Sequence, residues 1–144
     1  MNKTFHHLLM VNQAIFQKKI LNELIKIGLT PGQPKVLEYL NQNDGSIQKD
    51  IAHGCHIDPA TLTGILDRME EKNLIERRSI NGNRRSSHVY LTECGKKYSE
   101  DVLKVFIKEE NIAFKGIDKY EQTQFIDILY KIYSNMTDME ETNE

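Results

Sequence analysis

Near the middle of this 144-residue chain, two stretches with helical periodicity are separated by only three residues. Gln48 to Gly54 carries Ile51 and Ala52 on a helical period and stops at Gly54. After Cys55-His56-Ile57, Asp58 supplies an N-cap and Pro59 sits at the first helical position. Leu62, Ile65, Leu66 and Met69 then recur at i, i+3, i+4 and i+7, and the run closes at Asn73, a residue that tolerates a left-handed C-cap. Two short helices with so tight a link form a helix-turn-helix. Directly afterwards, Leu74 to Ser79 and His88 to Thr92 read as short strands flanking the turn sequence Asn81-Gly82-Asn83. A hairpin that follows a helix-turn-helix in this way makes a winged helix.

Helices flank this unit on both sides. From Phe5 to about Ile27, the residues Phe5, Leu8, Leu9, Ile15, Phe16, Ile20, Leu21, Leu24 and Ile25 form a stripe wide enough for two neighbours, and Gly28 supplies the stop. Thr30-Pro31-Gly32-Gln33 reads as a new start, with Thr30 at the cap, Pro31 at the first helical position and Gln33 closing a capping box. Asn41 to Gly45 ends that helix, and Ser46 is the expected cap for the next. Thr92 caps a long helix to about Lys115, with Tyr98, Val102, Val105, Phe106 and Ile112 inward. Gly116 breaks it, and the capping box Asp118-Lys119-Tyr120-Glu121 opens a last helix striped by Phe125, Ile128, Leu129, Ile132 and Met136. The expected architecture is mainly α with a small β-wing: one domain, 1–144, with a winged helix-turn-helix over about 30–92. Dimerisation helices flank it over about 1–28 and 93–144.

At 39 % hydrophobic and 28 % charged residues, the composition is that of an ordinary globular domain, and a chain of this length needs no disulfide or metal to hold it together. Cys55 and Cys94 cannot make a disulfide framework, His6 and His7 break any signal-like run, and the expected compartment is the cytoplasm. No apolar stretch approaches the length of a membrane span. The net charge of −2 argues against indiscriminate coating of nucleic acid, but the distribution is uneven. Arg77 to Thr92 holds Arg77, Arg78, Arg84, Arg85 and His88 with no acid, whereas Asp118 to Glu144 carries seven acids against Lys119 and Lys131. A basic patch on an acidic body suits contact with a polyanion at one place and repulsion elsewhere. No phosphate loop, tuned carboxylate pair or nucleophile with a base at a meaningful spacing is present, so no enzyme is expected. His53 and His56 lie around Cys55, but the stretch crosses a helix end and has no fourth ligand, so neither a metal nor a cofactor is expected.

The layout and its strings resemble the MarR family of winged-helix transcriptional regulators, over essentially the whole chain. The matching strings are Gly28-Leu29-Thr30 with Gln33 and Val36-Leu37, then Gln48-Lys49-Asp50-Ile51-Ala52, then Asp58-Pro59-Ala60-Thr61-Leu62-Thr63. Asp67-Arg68-Met69-Glu70 with Leu74-Ile75-Glu76-Arg77 follows, and last Asn83-Arg84-Arg85 with Leu91-Thr92-Glu93-Cys94-Gly95. The chain departs from the family pattern at Asn83, where an acid usually braces the wing arginine, at Asn73 in place of Gly, and at Ile47 in place of a Ser or Thr cap.

The resemblance implies a homodimer that binds double-stranded DNA at a pseudo-palindrome and responds to a small-molecule effector. It makes the helix from Asp58 the recognition helix. Opposite its apolar stripe, Pro59, Ala60, Thr63 and Gly64 are small and uncharged enough to approach bases, and Thr61 is placed to donate to phosphate or base. The resemblance makes Arg85 the minor-groove arginine. Arg84, Arg77 and Arg68 read as phosphate contacts or struts between wing and helix, Asn83 as a wing contact, and Gln48 as a phosphate contact at a helix N-terminus. Relatives place their effector near the first, second and fifth helices, where Phe5, Phe16, Tyr39, Val102 and Phe106 are the candidates here. Thiol sensors of the family carry the reactive cysteine in the first helix, which here has none. The reading from a different class is a winged helix that binds only protein; it requires no DNA affinity and no role for Arg84 and Arg85.

Overall fold

Asp58 opens the helix around which the architecture is built. Its Oδ2 accepts the backbone N–H groups of Ala60 (3.1 Å) and Thr61 (3.2 Å), two donors that the first helical turn cannot pair, and Pro59 brings no donor at all. The computed structural model describes residues 1–80 and 82–141, with side chains at all of these except 80, 83–85 and 139–141. In chain order the elements are α1 (Phe5–Leu24), a 3-10 turn (Ile25–Ile27), α2 (Gln33–Gln42), β1 (Ser46–Ile47), α3 (Gln48–Cys55) and α4 (Pro59–Glu71). There follow β2 (Ile75–Ile80), β3 (Asn83–Leu91), α5 (Glu93–Ala113) and α6 (Lys119–Glu141). They form two compact units, Met1–Glu109 and Glu110–Glu144.

In the first unit, Leu37 and Leu40 of α2, Ile51 of α3, and Leu62, Leu66 and Met69 of α4 pack with Ile75, Val89 and Val102 into one core. The sheet is antiparallel in the order β1-β3-β2, with Ser46 opposite Val89 on one side and Arg77 opposite Val89 on the other. Asn73 ends the α4 region at φ 59°, as its sequence position suggests. The Thr92 hydroxyl accepts the Gly95 N–H at 2.9 Å at the start of α5 and donates to the Asn73 carbonyl at 2.7 Å, tying the exit of the wing to its entrance.

Several expected details take a different form. Gly32 adopts φ 88°, which no helical residue does, so α2 starts at Gln33 with Pro34 in its first turn rather than at Thr30 with Pro31. Only the reciprocal half of the capping box forms, Gln33 Oε1 accepting the Thr30 N–H at 3.0 Å. Ser46 does not cap α3; its hydroxyl donates to the Asn43 carbonyl at 2.6 Å, and Ile47 holds the cap position. The helix runs past Gly54 to Cys55 and is stopped by His56 at φ 50°. Gly54 instead makes room for the Tyr39 ring. The strand expected from His88 begins at Asn83, and β1 adds a third strand that no periodicity announced. Of the turn sequence between the strands, Asn81 lies outside the described residues.

The apolar stripes of the flanking helices are largely uncovered. In α1 only Ile20 and Leu24 are buried, while Phe5, Leu9 and Ile15 are exposed. Ile112, expected inward, is 52 % exposed. In the second unit, Asp118 Oδ1 accepts the Glu121 N–H at 2.8 Å, as a capping residue does, and the Phe114 and Phe125 rings meet edge-on at 6.2 Å. Phe125, Ile128, Leu129 and Met136 nevertheless face solvent. No helix among the described residues is long and apolar enough to cross a membrane.

The surroundings of two glycines predict a ranking. A Cβ on Gly95 would overlap the backbone carbonyl of Leu74, whereas one on Gly54 would meet the Tyr39 ring, which can turn away. Gly95→Ala is expected to cost roughly 3 kcal/mol or more in urea unfolding, and Gly54→Ala clearly less.

Candidate nucleic-acid interface

In the N-terminal half of α4, the surface opposite the buried Leu62, Ile65, Leu66 and Met69 is made of small residues. Pro59, Ala60 and Thr61 are exposed there, and Thr63 and Gly64 are partly exposed. A Cβ on Gly64 would stand 3.5 Å from the Arg68 guanidinium, so the missing side chain lets that long cation lie close to the helix surface. Gln48, the first residue of α3, reaches across to α4, its Nε2 donating to Thr63 Oγ1 at 2.8 Å. The Thr63 hydroxyl in turn donates to the Pro59 carbonyl at 3.0 Å.

Arg77 is turned inward and bound to two acids. Its Nη2 lies 2.5 Å from Asp67 Oδ1 and 3.2 Å from Glu70 Oε1, and its Nε donates to Glu70 Oε2 at 3.3 Å. Its side chain is 7 % exposed. Burial works against the charge, but the hydrogen bonds with Glu70 and Asp67 outweigh it and hold the pKa above the usual arginine value. Of the two alternatives read from the sequence, this geometry is that of a strut between wing and helix. The guanidinium offsets one of the two carboxylate charges on this side of α4 and leaves one negative charge there.

Arg78, one position on, points the other way. It pairs with Glu76 at 3.1 Å and lies over the Tyr90 ring with its guanidinium carbon 4.3 Å from the centroid. This exposed cation was absent from the expected interface, although strand alternation from the buried Ile75 places it outward. Asn83, Arg84 and Arg85 start β3; their side chains lie outside the described residues.

A separate cavity of about 510 Å³ lies within the first unit, lined mainly by apolar groups from Phe16, Ile20, Pro34, Ile57, Ile65 and Phe106. The Phe16 and Phe106 rings stack at 6.5 Å with 15° between planes. Of the expected pocket residues only these two line it. Phe5 is 58 % exposed near the start of α1, Tyr39 packs on Gly54, and Val102 is fully buried in the core. Thr61 borders the cavity as well as the outward face of α4. The His53 and His56 rings stand 6.1 Å apart, and no group of three metal-ligating side chains gathers among the described residues.

The model of the MarR family matches residues 29–87, which holds the helix-turn-helix and most of the wing. The HTH-type transcriptional regulator YwoH of Bacillus subtilis is 30 % identical over 118 residues, covering 79 % of this chain and 86 % of that protein. The chain belongs to the MarR family. Another relative, the HTH-type transcriptional repressor MdtR of Bacillus subtilis, is 36 % identical over 94 residues, 63 % of this chain. This match spans 61 % of the repressor's length. Among solved structures, the DNA complex of MepR from S. aureus aligns with a TM-score of 0.83 at 26 % identity, over 94 % of this chain and 99 % of that one. The MarR fold thus extends beyond the matched segment to the flanking helices.

Two measurements check the site's chemistry. Arg77→Met keeps the length and takes the guanidinium away from Asp67 and Glu70. Because both acids are partly solvated, it is expected to cost about 1–2 kcal/mol in urea unfolding, with Arg78→Met near zero. In thiol titration with Ellman's reagent, exposed Cys94 is expected to react in the folded protein. Burial pushes the Cys55 thiol pKa up, so Cys55 should react only on unfolding.

Proposed function

We propose that this chain is a sequence-specific, DNA-binding transcriptional regulator: a cytoplasmic repressor that acts as a homodimer on a pseudo-palindromic operator and responds to a small-molecule effector. The observation that carries the reading is the outward surface of the N-terminal half of α4, where small uncharged residues replace the Lys and Glu of a merely solvated face, and where Arg77 offsets one of the two nearby carboxylate charges. Pro59, Ala60, Thr63 and Gly64 approach base edges in the major groove, while Thr61, Gln48 and Arg68 hold phosphates. Asn83, Arg84 and Arg85 of the wing reach the adjacent backbone and minor groove. The DNA complex of MepR and the repressor name of MdtR support this reading.

A dimer follows from apolar surface that one chain leaves open. Phe5, Leu9 and Ile15 on α1, and Phe125, Ile128 and Leu129 on α6, are exposed to an extent unusual for a monomer. A second copy related by a two-fold axis covers such faces and sets two recognition helices about 34–36 Å apart, one turn of duplex. The cavity between α1, α2, α4 and α5 suits a small, mostly apolar effector. A ligand there touches Ile65 on the buried face of α4, so its binding energy can depend on where that helix sits.

Selection of bound duplexes from a random DNA pool is the direct test. An enriched pseudo-palindrome is expected, with affinity falling steeply as salt rises. In the Arg84→Ala/Arg85→Ala variant the log–log salt slope should shrink by about 0.9 for each phosphate that the wing no longer neutralises. A folded, dimeric sample that enriches no duplex would overturn the proposal and point to a protein-binding winged helix.

A further inference from the structure

The Thr63 hydroxyl has partners on both sides inside the protein. It accepts the Gln48 side-chain N–H at 2.8 Å and gives its own proton to the Pro59 carbonyl at 3.0 Å. A hydroxyl has one proton to donate, so Thr63 has none left for a base edge or a phosphate. The bond to Pro59 is the local back-bond that a helical Thr makes to the carbonyl four residues earlier. The bond from Gln48 comes from a different helix and makes the orientation a tertiary constraint. Thr63 remains partly exposed, beside Gly64, which adds no side chain of its own although the Arg68 guanidinium lies near it. With its proton used and one of its two acceptor lone pairs taken by Gln48, the hydroxyl cannot donate to DNA. The apolar group Thr63 presents is its methyl, whose specific partner in a major groove is the C5-methyl of thymine.

Resting on the DNA-binding reading above, we infer that Thr63 is a specificity-determining residue that reads one thymine methyl in each half-site. Gln48 is its positioning residue, occupying the hydroxyl that would otherwise seek the DNA. Gln48 keeps its Oε1 and a second amide N–H, so this role is compatible with a phosphate contact of its own.

The test uses the full chain and a duplex enriched from the random pool, in which each thymine of a half-site is replaced singly by deoxyuridine, removing only the methyl. Affinities are measured for wild type, Thr63→Ser (hydroxyl kept, methyl lost), Thr63→Val (methyl kept, hydroxyl lost) and Gln48→Ala. One thymine per half-site is expected to lower wild-type affinity about fourfold when its methyl is removed, the worth of one buried methyl-sized group. The loss should persist in Thr63→Val and vanish in Thr63→Ser. In Gln48→Ala, where the hydroxyl is released, it should shrink below about twofold. A loss of unperturbed size in Thr63→Ser, or no methyl-sensitive position in wild type, overturns the inference, as does a Thr63→Val that no longer discriminates. Should Thr63→Val fail to fold, the serine variant alone decides the matter. A folded protein that enriches no duplex overturns the DNA-binding reading and this inference with it. An enriched duplex without methyl dependence overturns this inference alone.

Discussion

The placing of the wing depends on one guanidinium. Side chains alternate along a strand, so Ile75 and Arg77 share the inner face of β2, and Arg77 lies directly opposite the buried Val89. A cation in that place is costly unless it is paired. The pairing comes from Asp67 and Glu70, three apart on α4 and therefore on one side of that helix. The resulting brace does two things at once. It ties the hairpin to α4, and it offsets one of the two carboxylate charges on that helix.

The apolar surface of the chain is divided unequally. The helix-turn-helix and the sheet supply most of one core, with Leu37, Leu62, Leu66, Met69 and Val89 wholly buried, and Ile20 and Leu24 of α1 and Val102 of α5 complete it. The helices α1 and α6 carry stripes of comparable strength that one chain leaves in water. The cavity opens on the α1 side of that core, where α1 covers the winged helix only partly and Phe16 stacks on Phe106 instead of filling the space. The exposed stripes of α1 and α6 are the surface on which the proposed dimer rests.

The elements most legible in the sequence were those whose signals act within one turn of chain. Asp58-Pro59 starts α4 because both residues satisfy or remove orphan N–H groups locally, and Asn73 ends it through its tolerance of positive φ. Thr92 and Asp118 cap their helices for the same reason. Less legible was the start of α2, where Thr30-Pro31 has every local mark of a helix start but Gly32, lying against Ile65 of α4, takes the left-handed conformation instead. Strand β1 could not be seen, since two residues have no period and gain their structure only from pairing with Val89 and His88. Ile112 is exposed, and Phe5, Tyr39 and Val102 lie away from the cavity that Phe16 and Phe106 line, because a periodic stripe says which side of a helix is apolar and nothing about what covers it.

By itself the sequence determined the helix-turn-helix with its wing, the family it belongs to and the small-residue face of the recognition helix. Each of these is written in caps, turns and periods that span fewer than about a dozen residues. Only the tertiary structure decided that Arg77 is a strut while Arg78 faces solvent, that Thr63 has its hydroxyl occupied by Gln48, and that Phe16 and Phe106 line a cavity at the edge of the core. These are interactions between elements distant in the chain. Their hydrogen bonds and packing depend on which faces meet, and local propensity does not encode that.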